Sequence, residues 1–223
     1  MAMTIYKFKS LANFEHVSDI LCNERFYSGK FFDLNDPMEG RFDHHPDTKR
    51  EFLDAILRGK EKLRICSFSQ DLGNLLLWAH YADSFRGICF EVDAHTTQDS
   101  EIVEINYADF NVYVSNDSEQ DLDRLPRAIL STKNEAWSYE REVRILSSTE
   151  HVSVGLEIKA IYFGLRTPTI MKDTIARLLP QRIPAFETQI NVSTNTVEKV
   201  AKRYQPVVPG SSIATWATSV KPI

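Results

Sequence analysis

Runs with the two-residue period of a strand and runs with the period of a helix follow one another along this chain without the strict alternation a parallel α/β sheet demands. IYKF at 5–8, LRICSFS at 63–69, GICFEV at 87–92, EIVEINYA with NVYV over 101–114, YEREVRIL at 139–146, EIKAIYFG at 157–164 and a last run near 188–192 read as strands. Between them, Asn13 is placed to cap a helix carrying Phe14, Val17, Ile20 and Leu21. Further helices are expected over 48–58, ending at Gly59, over 74–87 with Asn74 near the start and Gly87 just past the end, over 124–135, and over 169–179. FYSGKFFDLNDPMEG reads as strand, turn at Gly29 and loop around Asp36–Pro37. The pattern gives an α+β fold with a mixed or antiparallel sheet and flanking helices: one domain over 1–205 and a C-terminal tail over 206–223.

Composition narrows the function classes. Of the 223 residues, 26 are Lys or Arg and 31 are Asp or Glu, a net charge of −5 that disfavours a broad polyanion-binding surface, so nucleic acid is expected only as a locally bound substrate. With 43% hydrophobic residues the chain is neither a disordered segment nor a coiled coil. Cys22, Cys66 and Cys89 form no CxxC pair, and His44–His45 lacks the i, i+4 spacing of a zinc helix, so neither a metal centre nor a disulfide framework is expected. Eight glycines, with no GxGxxG, P-loop or GxSxG, exclude a phosphate-cradling glycine loop. No leader pattern opens the chain and its longest apolar run, 75–79, is too short to span a bilayer; a cytoplasmic location without a membrane partner is expected.

Four constellations can carry chemistry. In TKNEAWSYEREVRIL, an extended 139–146 would put Glu140, Glu142 and Arg144 on one face. Two carboxylates at i and i+2 raise one another's pKa unless a cation or ligand compensates, and Trp137 and Tyr139 supply aromatic shelves for a ring-bearing ligand; a solvated strand face with a Glu–Arg pair is the simpler alternative. In CSFSQ, Ser67 and Ser69 share the face opposite Cys66 and Phe68, where they either bond to neighbouring backbone or line a cleft and orient a carboxylate or a ribose. In WAHYAD, Trp78, Tyr81 and Phe85 share one helix side while His80 stands beside Leu76 and Ser84. In DLNDPMEG, Asn35, Asp36 and Glu39 occupy a turn that local side-chain bonding alone would explain.

Taken in order, IYKFKS, NDPMEG, CSFSQD, WAHYADSFRG, the W-x-x-E-x-E-x-R of residues 137–144 and IYFGL resemble a bacterial and phage-associated domain family of unknown function, over roughly residues 5–166. The order of motifs is also similar to that of ADP-ribosyltransferases of the Arg–Ser–Glu kind, which carry a basic residue on an early strand, Ser-x-Ser on a middle strand and Glu-x-Glu leading into a late strand. This chain has Lys7 and Lys9 where those enzymes have arginine. The resemblance implies a split sheet of the ADP-ribosyltransferase type and an NAD-dependent ADP-ribosyltransferase: a toxin or effector in bacterial anti-phage defence or phage–host conflict, transferring ADP-ribose from NAD to a protein or nucleic-acid acceptor. An antitoxin or regulator would be its partner, and no metal is implied. Catalysis would fall to Glu142 at the ribose, Glu140 at the acceptor and Ser67 in support of Glu142. Tyr6, Lys7, Lys9, Asn35, Asp36, Ser69, Trp78, His80, Tyr81, Trp137 and Arg144 would surround NAD. Two rivals stand beside this reading: a metal-independent nuclease or phosphodiesterase with His80 as acid–base and Arg144 on phosphate, and a non-catalytic nucleotide-binding sensor.

Overall fold

In the computed structural model, which describes residues 2–206 apart from 110 and 154, the chain opens with β1 (Met3–Lys9), α1 (Phe14–Asn23), β2 (Phe26–Tyr27), β3 (Phe42–His44), α2 (Arg50–Lys62) and β4 (Arg64–Ser69). Next come α3 (Leu75–Tyr81), β5 (Ile88–Ala94), β6 (Ser100–Glu104), β7 (Asn106–Tyr107), β8 (Val112–Val114), α4 (Leu125–Leu130), β9 (Thr132–Lys133), β10 (Glu142–Ser147) and β11 (His151–Val152). It ends with β12 (Leu156–Phe163), α5 (Thr169–Leu178), β13 (Ala185–Asn191) and β14 (Thr196–Arg203). The expected tail lies, from 207 onward, outside the described residues. No helix among the described residues is long and apolar enough to cross a membrane.

The α+β expectation holds, with a mixed sheet of eight strands in the order β14–β13–β12–β5–β1–β4–β10–β6. Within it the β12–β13 pair is parallel, because α5 carries the chain back across the sheet between them; the other pairs are antiparallel. Alternation along the strands sorts side chains to two faces. One face buries Ile5, Phe68, Phe90, Val143 and Ile161 beneath Val17, Ile20 and Leu21 of α1 and Ile175 of α5. The other buries Phe8, Cys89 and Tyr162 beneath Leu77 and Trp78 of α3. Away from the sheet, Phe52 and Ile56 of α2 pack with Val114 and with Leu125 and Ile129 of α4.

One feature of the register positions the functional region. β1 follows β5 over its whole length, from Met3↔Ala94 to Lys9↔Ile88, but meets β4 at a single pair, Tyr6↔Ser69. Beyond that pair the two strands part. Lys7 Nζ takes up the Ser67 carbonyl at 2.5 Å, and Gly29 bridges to Ile65. Within the one eight-stranded sheet, β1 and β4 therefore diverge beyond Tyr6↔Ser69.

Local expectations were corrected where tertiary contacts override local signals. Gly59 does not end a helix: α2 runs on to Lys62. The glycine is needed because a Cβ there would lie 2.5 Å from Pro126 Cγ of α4. Gly59→Ala is accordingly expected to destabilise the protein by about 1–3 kcal/mol through overpacking, despite the better helix propensity of alanine. An unchanged or raised denaturant midpoint would refute that account of the glycine. Asn13 precedes α1 without a side-chain cap bond, whereas Asn74 caps α3 by accepting from the Leu76 N–H. α3 stops at Tyr81 because Asp83, Ser84 and Phe85 are left-handed (φ 47°, 51° and 70°). Gly87 beyond them admits the close approach of the Lys9 carbonyl, 2.2 Å from where a Cβ would stand. The helix expected over 124–135 is only α4, with Pro126 in its first turn; Lys133 belongs to β9. β14 carries no readable strand signal, since the charges of TVEKVAKR hide its alternation.

Candidate active site

Strand β10 departs from the expected geometry at its start. Glu140 is not on the strand. Asn134 caps a 3₁₀ turn over Glu135–Glu140 by accepting from the Ala136 N–H, and Arg141 (φ 43°) ends it. This left-handed residue swings the chain so that Glu140 and Glu142 approach one point from two directions. Backbone contacts fix the swing: the Ser69 hydroxyl donates to the Glu140 carbonyl at 2.6 Å, Gln70 N–H to the Arg141 carbonyl at 3.0 Å, and Asn74 Nδ2 to the Tyr139 carbonyl at 2.8 Å. The Glu142 N–H is held by the Tyr107 hydroxyl at 2.7 Å.

The point of convergence is a buried charge cluster. Lys133 Nζ lies 2.6 Å from Glu140 Oε2, 3.0 Å from Glu142 Oε2 and 3.4 Å from Glu39 Oε1. Arg144 Nε meets Glu142 Oε1 at 2.8 Å, its Nη2 meets Glu39 Oε1 at 2.6 Å, and its Nη1 donates to the Leu130 carbonyl at 2.6 Å. Tyr81 donates to Glu140 Oε1 at 2.5 Å. Three carboxylates thus face two cations, all at most 9% exposed. Glu39 Oε2 is buried without a hydrogen-bond partner.

The electrostatics follow from these contacts. Burial alone would raise Glu142, but Arg144, then Lys133 and the Ser67 hydroxyl, hold it at about 2, so it is ionised at neutral pH. Burial would lower Lys133, yet Glu142, Glu140 and Glu39 push it above the ordinary lysine range. Tyr81 is raised by burial and by Glu140, and Tyr107 is raised to about 12, chiefly by burial.

Around the cluster opens a cavity of about 460 Å³, within the range of small-molecule sites. Residues of both β1 and β4 line it where those strands diverge. By register, Tyr6, Ser69 and Glu142 form a row across three strands, with Ser67 and Arg144 opposite one another in the next row. Lys7 and Lys9 leave β1 on the other face, the side of Phe68, over whose ring Lys7 Nζ sits at 5.2 Å. They line the same cavity because the strands have parted. Burial, and then the neighbouring Lys7 ammonium, bring Lys9 down to about 8.

The cavity brings together all but one of the expected residues. Tyr6, Lys7, Lys9, Asn35, Asp36, Ser67, Ser69, His80, Tyr81, Trp137, Glu140, Glu142 and Arg144 line it. Trp78 does not: it is fully buried under β1, its Nε1 donating to the Leu72 carbonyl at 2.8 Å, edge-on to Phe8 and stacked on Phe85. His80 is exposed at the mouth, 6.5 Å from the Tyr139 ring. Asp36 serves its turn, accepting from the Met38 N–H at 2.8 Å, while also lining the cavity. Lys133 and Tyr107 were missed as site residues, and Glu39, read only as part of the DLNDPMEG turn, was given no role at the site. Charge balance was the available signal for Lys133, since two buried glutamates need more than Arg144 alone. Among the described residues no group of His, Cys, Asp and Glu is disposed to hold a metal ion; the glutamate oxygens converge on Lys133 and Arg144.

A family model described as a protein of unknown function (DUF2971) matches residues 77–145. The matched stretch opens in α3 and closes in β10, so it carries Tyr81, Lys133, Glu140, Glu142 and Arg144. Neither a curated protein nor a solved structure matches the chain.

Proposed function

We propose that the chain is an NAD-dependent ADP-ribosyltransferase that passes ADP-ribose from NAD to a macromolecular acceptor, acting as an effector in conflict between bacteria and phage. The observation that carries this reading is the adjacency of β1, β4 and β10: the strand with Lys7 and Lys9, the strand with Ser67 and Ser69, and the strand that Glu142 opens are neighbours in that order, and the cavity follows the seam where the first two part. The transferases that the motif order resembles need a basic strand, a serine strand and a glutamate strand around one dinucleotide.

The chemistry suits these residues. Cleaving the bond between C1′ of the ribose and the nicotinamide nitrogen sends the bonding pair to nicotinamide and leaves an oxocarbenium-like sugar. The Glu142 carboxylate, fixed before the reaction begins, stabilises that developing charge without reorganisation. Glu142, ionised and held by Arg144, Lys133 and Ser67, supplies the anion beside the ribose. Glu140 takes the proton that the acceptor loses on attacking C1′. Lys7 and Lys9 suit the pyrophosphate, and Trp137 and Tyr81 give the nicotinamide an aromatic wall.

The test is incubation of the purified protein and whole-cell lysate with NAD labelled on the adenylate, following free nicotinamide and the label in protein and RNA fractions. Nicotinamide release matched by label in either fraction is the expected result and gives the acceptor class. Release without retention would make the chain an NAD hydrolase, and intact NAD would overturn the reading.

A further inference from the structure

The motif glutamates are reached by a residue of their own TKNEAWSYEREVRIL segment to which the sequence reading gives no role. Lys133 ends β9, a strand of two residues paired in parallel with β7 through Asn106↔Thr132 and Tyr107↔Lys133. Its backbone is tied down on that side, with the Asn106 N–H on the Ser131 carbonyl at 2.8 Å and the Ala108 N–H on the Lys133 carbonyl at 2.9 Å. The Thr132 hydroxyl donates back to the Ala128 carbonyl of α4 at 2.9 Å. From the same small sheet, Tyr107 holds the Glu142 N–H. The β7–β9 pair therefore grips the glutamates twice, at their carboxylates through Lys133 and at the Glu142 N–H through the Tyr107 hydroxyl.

We propose that Lys133 is the positioning residue of the site, fixing Glu140 and Glu142 at the separation and orientation that the reaction uses. An ammonium can send three N–H groups in three directions, and Lys133 has three acids within 3.4 Å. It bonds the Oε2 atoms of Glu140 and Glu142 with one nitrogen, so their spacing is set by two hydrogen bonds from a single atom. Arg144 cannot substitute: it contacts Glu142 and Glu39, and among the described residues Lys133 is the ion-pair partner of Glu140. The Lys133 ammonium also lies 4.9 Å from the centre of the Trp137 ring, which lines the cavity, so the clamp touches the wall against which a ligand would rest. Without Lys133, Glu140 would keep the Tyr81 hydroxyl but face Glu142 as an uncompensated buried carboxylate, and the two would separate or one would take a proton.

The groups that face Glu142 are Arg144 on its own strand, Lys133 from β9, Glu140 from the 3₁₀ turn, Glu39 from the NDPMEG loop, Tyr107 from β7 and Ser67 from β4. Removing one of the two cations leaves Arg144 to hold it alone.

The activity arm of the test rests on the transferase reading; the titration arm does not. Lys133→Met and Lys133→Arg are compared with the wild type in nicotinamide release from NAD, in thermal midpoint, and in ¹³C-detected titration of the glutamate carboxyls from pH 7 down to pH 1.5. For Lys133→Met, kcat is expected to fall by about a hundredfold with KM for NAD within about twofold, since displacing reacting groups by an ångström costs on that order. The acid limb of its pH profile is expected to move to higher pH. Lys133→Arg keeps the charge but carries a rigid planar fork in place of a compact ammonium. It is expected to fold with a near-wild-type midpoint and still show reduced kcat. Full recovery of kcat in Lys133→Arg would overturn the proposal, because charge alone would then suffice. So would Lys133→Met with wild-type kcat. If Lys133→Met fails to fold, Lys133→Arg decides. If the wild type leaves NAD intact, the transferase reading falls and the titration decides: Glu142 is expected to rise in Lys133→Met by about one pH unit or more, and an unmoved Glu142 would overturn the clamp.

Discussion

Arg144→Met is expected to lower the folding stability of the protein by about 3–5 kcal/mol, the usual cost of stripping one partner from a buried ion pair. A loss of that size is a large part of the roughly 5–15 kcal/mol that holds a typical domain together. Arg144 is fully buried in β10 and satisfies Glu142, Glu39 and the Leu130 carbonyl at once. Methionine replaces most of its length without its charge or donors. Three carboxylates would then share Lys133, and the Leu130 carbonyl would lose its donor. The deficit should depend on pH in a fixed direction. In the wild type, Glu142 is held at about 2 against its ordinary 4.5. Its contribution is present above pH 4.5 and is lost as the pH falls from there through about 2. In the variant that depression is weakened or reversed, so the gap in stability should be widest near neutral pH and close as the pH falls below 4.5. Urea midpoints at pH 7 and pH 4 measure it. A gap that stays constant would mean that Arg144 matters for packing and not for the charges of the cluster.

Much of this arrangement could be read from the sequence, and what could not has identifiable physical causes. Strand period placed β1, β4, β5, β10 and β12, because their inward residues are apolar and regular. The β4 assignment also put Ser67 and Ser69 on the face where the cavity lies. Reading residues 139–146 as one strand failed at Glu140, since nothing in YEREV marks Arg141 as left-handed; Asn74, Ser69 and Gln70, distant in sequence, hold the backbone there. Trp78 illustrates the opposite error. An aromatic residue in a motif with His80 and Tyr81 suggests a ligand, yet its position one turn before Ala82 places it against Phe8 in the core. Lys133 was hidden because an isolated charged residue in a polar stretch looks solvated, and Glu39 because local side-chain bonding alone would explain its turn. Their burial comes from β9 and from the NDPMEG loop folding over the start of β10, contacts with no local signature.

Glu142→Gln should have the largest effect on activity, lowering nicotinamide release from NAD by about a thousandfold, roughly 4 kcal/mol of barrier. The amide is nearly isosteric with the carboxylate, so the cavity keeps its shape while the cluster loses the negative charge of Glu142. What is removed is the fixed anion beside the sugar, the term that differs most between substrate and transition state. Glu140→Gln separates the two acids. Under the roles assigned above it should reduce transfer to the acceptor by about 10²–10⁴-fold while sparing nicotinamide release into water far more than Glu142→Gln does. The ratio of transfer to hydrolysis is therefore the informative quantity, read from label retained against nicotinamide freed in one reaction. A folded Glu142→Gln protein with wild-type nicotinamide release would remove the central role given to that carboxylate. Equal loss of both activities in Glu140→Gln would instead make the two glutamates one electrostatic unit, bound through Lys133, and would assign proton removal from the acceptor to another group in the cleft.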